Sequence, residues 1–286
     1  MIKVKNRNIT DLQAAAVAPA APVENPPPTL LPAAVHAEEP KEAPGSREPG
    51  IAFKGKPGWF SPAYHLSRAV RLDPGLVTDN RCLSFAADTR EMDCYRVLRT
   101  LIQQQTRKLG GVTILVTSAF PEEGKTLTAI NLSQAFVQDF RQTVLLIDCD
   151  LRKQQVCERL GFASDRGLID YLLHDAPLAE LTVWPGIEKF TLVSGGRESS
   201  AGSELLGSPR MLALVEDVRN RYPERYVFLD GPSLLAGADA LPLVPLVDFV
   251  LVVVRAGKTS IDDVRRAVSL IPEDKMLGLV LNREKN

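Results

Sequence analysis

The chain has 286 residues, 45% of them hydrophobic, and a formal net charge of -1, which allows a substantial core but gives no sign of wholesale nucleic-acid binding. Four cysteines without a C-x-x-C pair and three scattered histidines predict no zinc site and favour a reducing cytoplasm. The best candidate for a membrane span, residues 241–254, contains two prolines and Asp248 and is shorter than the ~18 to 20 residues that a span needs. We therefore expect no transmembrane segment.

The first 62 residues differ in composition from the rest of the chain. They hold eleven of the 21 prolines and a charged stretch from Glu38 to Glu48, so they offer few backbone donors and little apolar surface to offset the entropy of ordering. We predict a disordered segment over residues 1–62, either a tether or a dispensable extension, followed by a single domain over residues 63–286.

An apolar stripe at helical spacing predicts an amphipathic helix over about residues 88–108. The stripe consists of Met92, Tyr95, Leu98 and Ile102. Three charged residues at intervals of three run beside it, Asp93, Arg96 and Arg99. Taken alone, this spacing is most simply a solvated flank with local ion pairs.

The rest of the sequence alternates apolar strands with helical patterns. Strands are predicted at residues 112–117, 143–147, 190–193, 226–229, 249–254 and 277–281. Helices are predicted at residues 127–139, 151–160 and 168–173, from residue 209 onward, and between residues 261 and 271. Continuous apolar strands separated by helices predict an α/β fold, in which helices cover both faces of a mostly parallel central sheet.

Residues 118–126 lie where a strand turns sharply into a helix, so backbone N–H groups and the helix dipole converge on one point that favours an anion. Gly124 lets the backbone close on phosphates, Lys125 can reach the β and γ oxygens, and the Thr126 hydroxyl can bind Mg2+. The expected nucleotide contacts are Ser118, Ala119, Glu122, Glu123, Gly124, Lys125, Thr126 and Leu127. Ala119 replaces the first glycine of the usual G-x-x-x-x-G-K-S/T pattern, so the loop alone is weak evidence.

Carboxylates follow two of the predicted strands. Asp148 and Asp150 come directly after residues 143–147, and Asp230 ends the run 226–229. Each could be a helix N-cap, but ligands of an open parallel sheet sit at the carboxyl ends of its strands. Together with the lysine and threonine of the loop, three carboxylates supply the parts that Mg-ATP chemistry needs.

The run Asp148-Cys149-Asp150-Leu151-Arg152, after three aliphatic residues, resembles the second Walker motif of bacterial tyrosine kinases, the P-loop autokinases of capsule and exopolysaccharide synthesis. Asp230-Gly231-Pro232-Ser233 is similar to the D-x-P-P motif of this family, with Ser233 for the second proline. Asp93-x-x-Arg96-x-x-Arg99 resembles its E-x-x-R-x-x-R subunit-contact motif. The resemblance runs from about Tyr64 to the C-terminus and implies a P-loop NTPase fold, ATP and Mg2+ as cofactors, and a homo-oligomer built through Asp93, Arg96 and Arg99.

The resemblance also implies a role for each matching residue. Lys125 would bind the β and γ phosphates, while Thr126 and Asp230 would hold Mg2+. Asp148 would orient or deprotonate the attacking hydroxyl and Asp150 would lie in or near the metal shell, although the sequence does not rank the two. Arg152 completes the predicted catalytic set. Asn282 lies where related proteins recognise adenine, and a simple turn asparagine is the alternative.

Two departures from the family pattern affect the expected chemistry. Glu122 occupies the usual first glycine of P-G-x-G-K, so its carboxylate must point away from phosphates, and a positive φ there would add strain. The tail tyrosines that subunits of this family phosphorylate have no counterpart after Tyr226. Of the five tyrosines, Tyr64 is the accessible candidate, whereas Tyr95, Tyr222 and Tyr226 lie in structural contexts. Because of Glu122, we expect nucleotide binding to be weakened rather than abolished.

The resemblance therefore implies a cytoplasmic tyrosine kinase, or kinase-like ATPase, that regulates exopolysaccharide synthesis, export or chain length. A separate membrane chain-length protein, a polysaccharide co-polymerase, would activate it and recruit it to the inner face of the plasma membrane. One alternative is a positioning ATPase of the ParA and MinD type, but these proteins carry an extra lysine where this chain has Phe120. The other is a nucleotide-binding regulator without kinase activity.

Overall fold

Buried apolar strands form the centre of one mixed sheet in the computed structural model, which describes residues 2–3, 67–82 and 90–283. The strands of this part are β1 Ile2–Lys3, β2 Arg68–Ala69, β3 Val112–Ser118, β4 Thr143–Asp148, β5 Thr182–Trp184, β6 Phe190–Val193, β7 Arg225–Asp230, β8 Phe249–Arg255 and β9 Met276–Asn282. Their order across the sheet is β1-β9-β8-β3-β7-β4-β6-β5-β2. The pairs β1–β9 and β5–β6 are antiparallel and the others are parallel.

The central strand β3 pairs with β7 on one side and with β8 on the other. Leu115 lies opposite Leu229 in one register and opposite Val250 in the other, and all three side chains are buried. Because helices cover both faces, these strands are continuous apolar runs rather than alternating ones. The same register brings the carboxyl ends of β3, β4 and β7 together at one edge of the sheet.

The helices of the described residues flank this sheet. They are α1 Pro74–Asp79, α2 Arg90–Thr106, α3 Lys125–Val137, α4 Gln155–Arg159, α5 Leu168–His174, α6 Leu178–Leu181, α7 Gly202–Leu206, α8 Pro209–Asn220 and α9 Ile261–Ser269. Short 3-10 turns occupy Leu241–Leu246 and Glu273–Lys275. Two apolar clusters fill the two faces: α2 and α3 pack on one and α5 and α8 on the other. The predicted α/β fold with a mostly parallel sheet is thus confirmed.

Several predicted boundaries differ from the structure. The predicted helix over 151–160 forms only at Gln155–Arg159, because the preceding residues make a turn that is held to the backbone of Asp150. The short elements β2, β5, α1, α6 and α7 give no periodic signal over a few residues and were not predicted.

Ile2–Lys3, within the segment predicted to be disordered, pairs with β9, whereas residues 4–62 lie outside the described part. Every described residue belongs to one compact unit. Within the described part, no helix has the length and hydrophobicity needed to span a bilayer.

Candidate functional site

A cavity of about 530 Å³ opens at the edge where β3, β4 and β7 end. Of the residues predicted to form the site, it is lined by Glu122, Gly124, Lys125, Thr126, Leu127, Asp150 and Arg152. Ser233 of the D-x-P-P-like run lines it too, as do residues that the sequence did not single out, among them Lys153, Arg159, Asp239 and Arg283. Five of the lining side chains are cationic, which suits an anionic ligand of this size.

The loop between β3 and α3 has the backbone shape of an anion site. Gly124, the N-cap of α3, has a φ of 101°, and a Cβ atom built on it would lie 2.1 Å from Nδ2 of Asn282. Only glycine satisfies both constraints. Ala119, by contrast, is fully buried, is not among the described residues with positive φ, and accepts a 3.0 Å hydrogen bond from the Leu235 amide. The missing first glycine therefore causes no backbone strain here.

Glu122 adopts a φ of 64° and is exposed at the cavity wall. A side chain in this left-handed region is strained, as predicted from the glycine that usually occupies this position. We expect Glu122→Gly to raise the unfolding free energy by about 0.5 to 1 kcal/mol, since relief of strain exceeds the entropy cost of glycine. Removal of the charge should also tighten binding of Mg-nucleotide. Urea denaturation and isothermal titration calorimetry would measure the two effects.

The control Glu122→Gln separates charge from backbone. It keeps the side chain and its positive φ, so binding should tighten while stability stays within about 0.5 kcal/mol of the parent protein. A stability gain in Glu122→Gln as large as that of Glu122→Gly would contradict the strain argument.

Lys125 lies among three carboxylates. Its Nζ is 2.7 Å from Oδ2 of Asp150 and 3.9 Å from Oδ1 of Asp230, and all three side chains are nearly or fully buried. Burial would lower the pKa of the Lys125 ammonium, but the charges of Asp230 and Asp150 outweigh burial and raise it. The lysine is therefore a permanent cation inside the protein, at the position that the loop motif assigns to phosphate binding.

Asp148 lies behind Asp150 and does not line the cavity. Its Oδ1 accepts a 3.1 Å hydrogen bond from the Asp150 amide, and its Oδ2 accepts one of 3.1 Å from the Val156 amide at the start of α4. Burial and the nearby charge of Asp230 raise the pKa of this carboxyl to about 8. The side chain thus ties the end of β4 to α4, while Asp150 faces the open space.

Asp230 is fully buried at the end of β7. Neither of its carboxylate oxygens accepts a hydrogen bond of ordinary geometry from the part of the chain that the structure describes. Burial raises its pKa, with Lys125 and the neighbouring Thr126 opposing the shift. A buried carboxylate whose oxygens accept no hydrogen bond of ordinary geometry, beside a threonine hydroxyl, fits a cation such as Mg2+, for which oxygen is the preferred ligand.

No group of three or more His, Cys, Asp or Glu side chains within the described ranges forms a complete metal cage. This arrangement agrees with Mg2+ chemistry, because that ion usually keeps several waters and takes only one or two carboxylates together with substrate phosphates. The residues present, Thr126 and Asp230 with Asp150 nearby, therefore fit a metal that arrives with a nucleotide.

Arg152 has a partner that the sequence did not reveal. Its guanidinium forms an ion pair with Asp239 through Nε and Nη2, and Nη2 also donates to the Ser200 carbonyl at 3.4 Å. Asp239 lies in the irregular segment after β7, where no periodicity or motif marks it. Asp239 is only 7% exposed, which is unusual for aspartate, and this burial is visible in the structure but not in the sequence. Arg152 remains 57% exposed at the cavity mouth.

The side chain of Asn282, predicted to contact adenine, is engaged elsewhere. Its Nδ2 donates a 2.8 Å hydrogen bond to the Glu123 carbonyl, and its Oδ1 accepts from the Arg283 amide at 2.9 Å. It does not line the cavity, whereas Arg283 does. Glu123, Ser118 and Ala119 likewise do not line the cavity. Base recognition by Asn282 stays a prediction, and the structure assigns it a contact to the loop.

The predicted subunit-contact residues lie on α2, where it packs on the end of α3. Arg96 bonds Asp93 at 2.9 Å and Gln138 at 3.3 Å, and Arg99 donates to the Ala135 carbonyl at 2.7 Å. Cations at a helix C-terminus compensate its last carbonyls and its dipole. The motif thus has a role within one chain, and its role between subunits stays a prediction.

The parallel sheet, the glycine-capped loop that begins α3 and the aspartates that end β4 and β7 define a fold of the P-loop NTPase class. The kinase domain of Escherichia coli tyrosine kinase ETK superposes with a TM-score of 0.62 and is 27% identical, over 68% of this chain and 76% of that chain. No family model matches the sequence.

Relatives in sequence identify a family within the P-loop NTPase class. Tyrosine-protein kinase YwqD of Bacillus subtilis (strain 168) is 31% identical over 193 residues, which are 67% of this chain and 80% of the relative. The chain belongs to the family of bacterial tyrosine-protein kinases. It is also 34% identical over 181 residues to the succinoglycan biosynthesis transport protein ExoP of Rhizobium meliloti (strain 1021). That match covers 59% of this chain but only 22% of ExoP, so the chain spans about a fifth of that longer relative.

Proposed function

We propose that this chain binds ATP with Mg2+ and transfers the γ-phosphoryl group to a tyrosine hydroxyl, as a regulator of exopolysaccharide synthesis or export. The observation that carries the proposal is a buried lysine at a glycine-capped loop, paired with Asp150 at the wall of the cavity and close to the buried Asp230 at the end of β7. Phosphoryl transfer depends almost entirely on such positioning and charge stabilisation. Membership of the tyrosine-kinase family supports the choice of acceptor.

Binding requires that Lys125 change partners. Its Nζ is paired with Asp150 in the structure, and an incoming β or γ phosphate would take the place of that carboxylate. Asp150 would then be free to accept the proton of the reacting hydroxyl. Thr126 and Asp230 would hold Mg2+, which would neutralise charge on the phosphates. Each of these groups is already desolvated, so its electrostatic contribution is large.

Asp150 is the better placed of the two carboxylates for contact with substrate. It lines the cavity, whereas both oxygens of Asp148 accept backbone amides. We assign Asp148 as a positioning residue that holds the backbone of Asp150 and the start of α4. This differs from the roles that the family resemblance implied, and Asp150 becomes the candidate to accept the proton of the tyrosine hydroxyl.

Tyrosines that are packed within the domain are poor candidates for the phosphate acceptor. Tyr226 is buried, its hydroxyl lies 2.6 Å from Oγ1 of Thr106, and its ring packs on Phe136. Tyr222 is stacked by Arg225 at 4.1 Å. Tyr64 lies outside the described residues. We therefore propose Tyr64 or a tyrosine of another protein as acceptor, with a separate membrane chain-length protein as activator and a homo-oligomer as the active form at the inner face of the plasma membrane.

One assay tests the proposal. Purified protein is incubated with labelled Mg-ATP, with and without the cytoplasmic end of a membrane chain-length protein, beside the control Lys125→Met/Asp150→Asn. Phosphotyrosine formed by the parent protein and absent from the control is the expected result. Release of free phosphate without formation of phosphotyrosine would contradict kinase activity and favour an ATPase that acts as a switch. Saturable nucleotide binding without turnover in either condition would favour a regulator.

A further inference from the structure

Three residues that do not line the cavity are joined by hydrogen bonds at the phosphate loop. Glu123 is buried to 3% exposure within the loop itself. Thr259 lies in the turn between β8 and α9, and Asn282 ends β9. They come from three distant parts of the sequence, so no motif or spacing joins them. We call Glu123, Thr259 and Asn282 the loop clamp.

The hydrogen bonds of the loop clamp hold both the side chain and the backbone of Glu123. Its Oε2 accepts from the Phe120 amide at 3.0 Å, which closes the loop on itself, and its Oε1 accepts from the hydroxyl of Thr259. Its carbonyl accepts from Nδ2 of Asn282 at 2.8 Å. The Ala256 amide in turn donates to the Asn282 carbonyl at 2.9 Å, which joins the two outer members through β8 and β9. The clamp is therefore anchored on the sheet.

We propose that Thr259 and Asn282 are positioning residues for phosphate binding, acting through Glu123. The peptide held by the clamp directly precedes Gly124 and Lys125, which begin α3 and whose amides would face a bound phosphate. The side chain of Glu123 is directed to Phe120 and Thr259 and away from the cavity, so its carboxylate shapes the loop without opposing the phosphates. A buried carboxylate held by two donors fixes geometry that a free loop would lose on each cycle. This inference rests on the proposed nucleotide binding.

The test compares two substitutions of Thr259 with one of its neighbour. Thr259→Val removes the hydroxyl and keeps the shape, whereas Thr259→Ser keeps the donor. Ser260 is the matched control, because its hydroxyl caps α9 by accepting from the Asp263 amide at 3.1 Å and does not contact the loop. Dissociation constants for Mg-ADP are measured by calorimetry well below each melting temperature, which is recorded separately.

Thr259→Val is expected to bind Mg-ADP about tenfold more weakly, because small displacements of positioning groups weaken ligand contacts by such factors or more. Thr259→Ser should restore binding to within about twofold, and Ser260→Ala should lower the melting temperature while its affinity stays within about twofold. Parental affinity in Thr259→Val would overturn the proposal, as would an equal loss of affinity in Ser260→Ala.

Glu123 provides a second, independent comparison. Glu123→Gln keeps both contacts, because its amide oxygen can accept from Phe120 and its NH2 can donate to Thr259. It should bind Mg-ADP at least as tightly as the parent protein, whereas Glu123→Ala should bind about tenfold more weakly. Thr259→Val added to Glu123→Ala should cause no further loss. Full additivity of the two losses would overturn the coupling. Failure of the parent protein to bind Mg-ADP would instead contradict the proposed function.

Discussion

Lys125→Met is expected to lose about 3 to 5 kcal/mol of unfolding free energy before any nucleotide is added, because removal of one partner leaves buried charge uncompensated. Lys125 Nζ is 2.7 Å from Asp150 and 3.9 Å from Asp230, and Asp148 lies in the same buried cluster. Without the lysine, three carboxylates lie together without its positive charge, and Asp148 and Asp230 among them are buried away from the cavity. Urea denaturation of the unliganded protein at pH 7.5 would measure the loss.

The loss should depend on pH in a defined direction. Without Lys125 the raised pKa values of the Asp148 and Asp230 carboxyls rise further, so the folded state binds more protons than the unfolded state. Stability of Lys125→Met should therefore fall as pH rises above the unfolded-state pKa of aspartate, and the difference from the parent protein should shrink toward pH 4. Lys125→Met/Asp150→Asn restores part of the charge balance and should recover at least half of the loss. Equal stability of Lys125→Met and the parent protein would contradict the charge argument.

This expectation bears on how activity data are interpreted. A lysine-to-methionine change in a phosphate loop is a common way to test for kinase activity, but here it alters the folded state as well as ligand binding. The double variant keeps the cavity free of the lysine with less destabilisation. Loss of phosphotyrosine in the double variant can then be assigned to the site.

Asp230→Asn is expected to have opposite effects on stability and on function. The Asp230 carboxylate is fully buried, and neither oxygen accepts a hydrogen bond of ordinary geometry from the described residues. Replacement by a neutral amide should raise the unfolding free energy of the unliganded protein by about 1 to 2 kcal/mol. Mg2+-dependent nucleotide binding should be lost, because the amide is a poor ligand for a hard cation. Calorimetry with Mg-ADP, repeated with metal chelated, would measure the second effect.

The stability gain should increase with pH. Because burial raises the pKa of Asp230, this carboxyl makes the parent protein lose stability as pH rises through the window above the unfolded-state pKa, and the asparagine variant lacks that contribution. Asp248 is the matched control: its carboxylate accepts from the amide and hydroxyl of Thr113 at 2.9 and 2.8 Å and pairs with Arg219 at 2.8 Å. Asp248→Asn should lose stability and keep nucleotide binding. A destabilised Asp230→Asn would show that its charge is compensated in the folded protein.

The sequence was sufficient for the parts of the site that follow strands. Buried parallel strands are long apolar runs, and Asp148 and Asp230 stand where such runs stop, so their meeting at one sheet edge could be predicted. The left-handed backbone of Glu122 could be predicted as well, because glycine is usual at that position. These inferences depend on local pattern and on the general geometry of parallel sheets.

Residues in irregular segments could not be predicted in the same way. Asp239 and Thr259 reach Arg152 and Glu123 across 87 and 136 residues of sequence, through loops whose path no periodicity determines. The relative roles of Asp148 and Asp150 also required coordinates, since both follow the same strand. Which of two carboxylates faces a cavity depends on the turn after β4 and on the amides of α4, not on residue type.

The helix α3 joins two features that are far apart in the molecule. It begins at Lys125 and ends at Val137, a rise of about 20 Å at 1.5 Å per residue. The phosphate loop precedes its first turn, and Arg99 holds the Ala135 carbonyl in its last. A neighbouring molecule that engages Arg99 would thus act on one end of a rod whose other end carries the lysine. A subunit contact at Arg99 would therefore be connected to the phosphate loop through the thirteen residues of this helix.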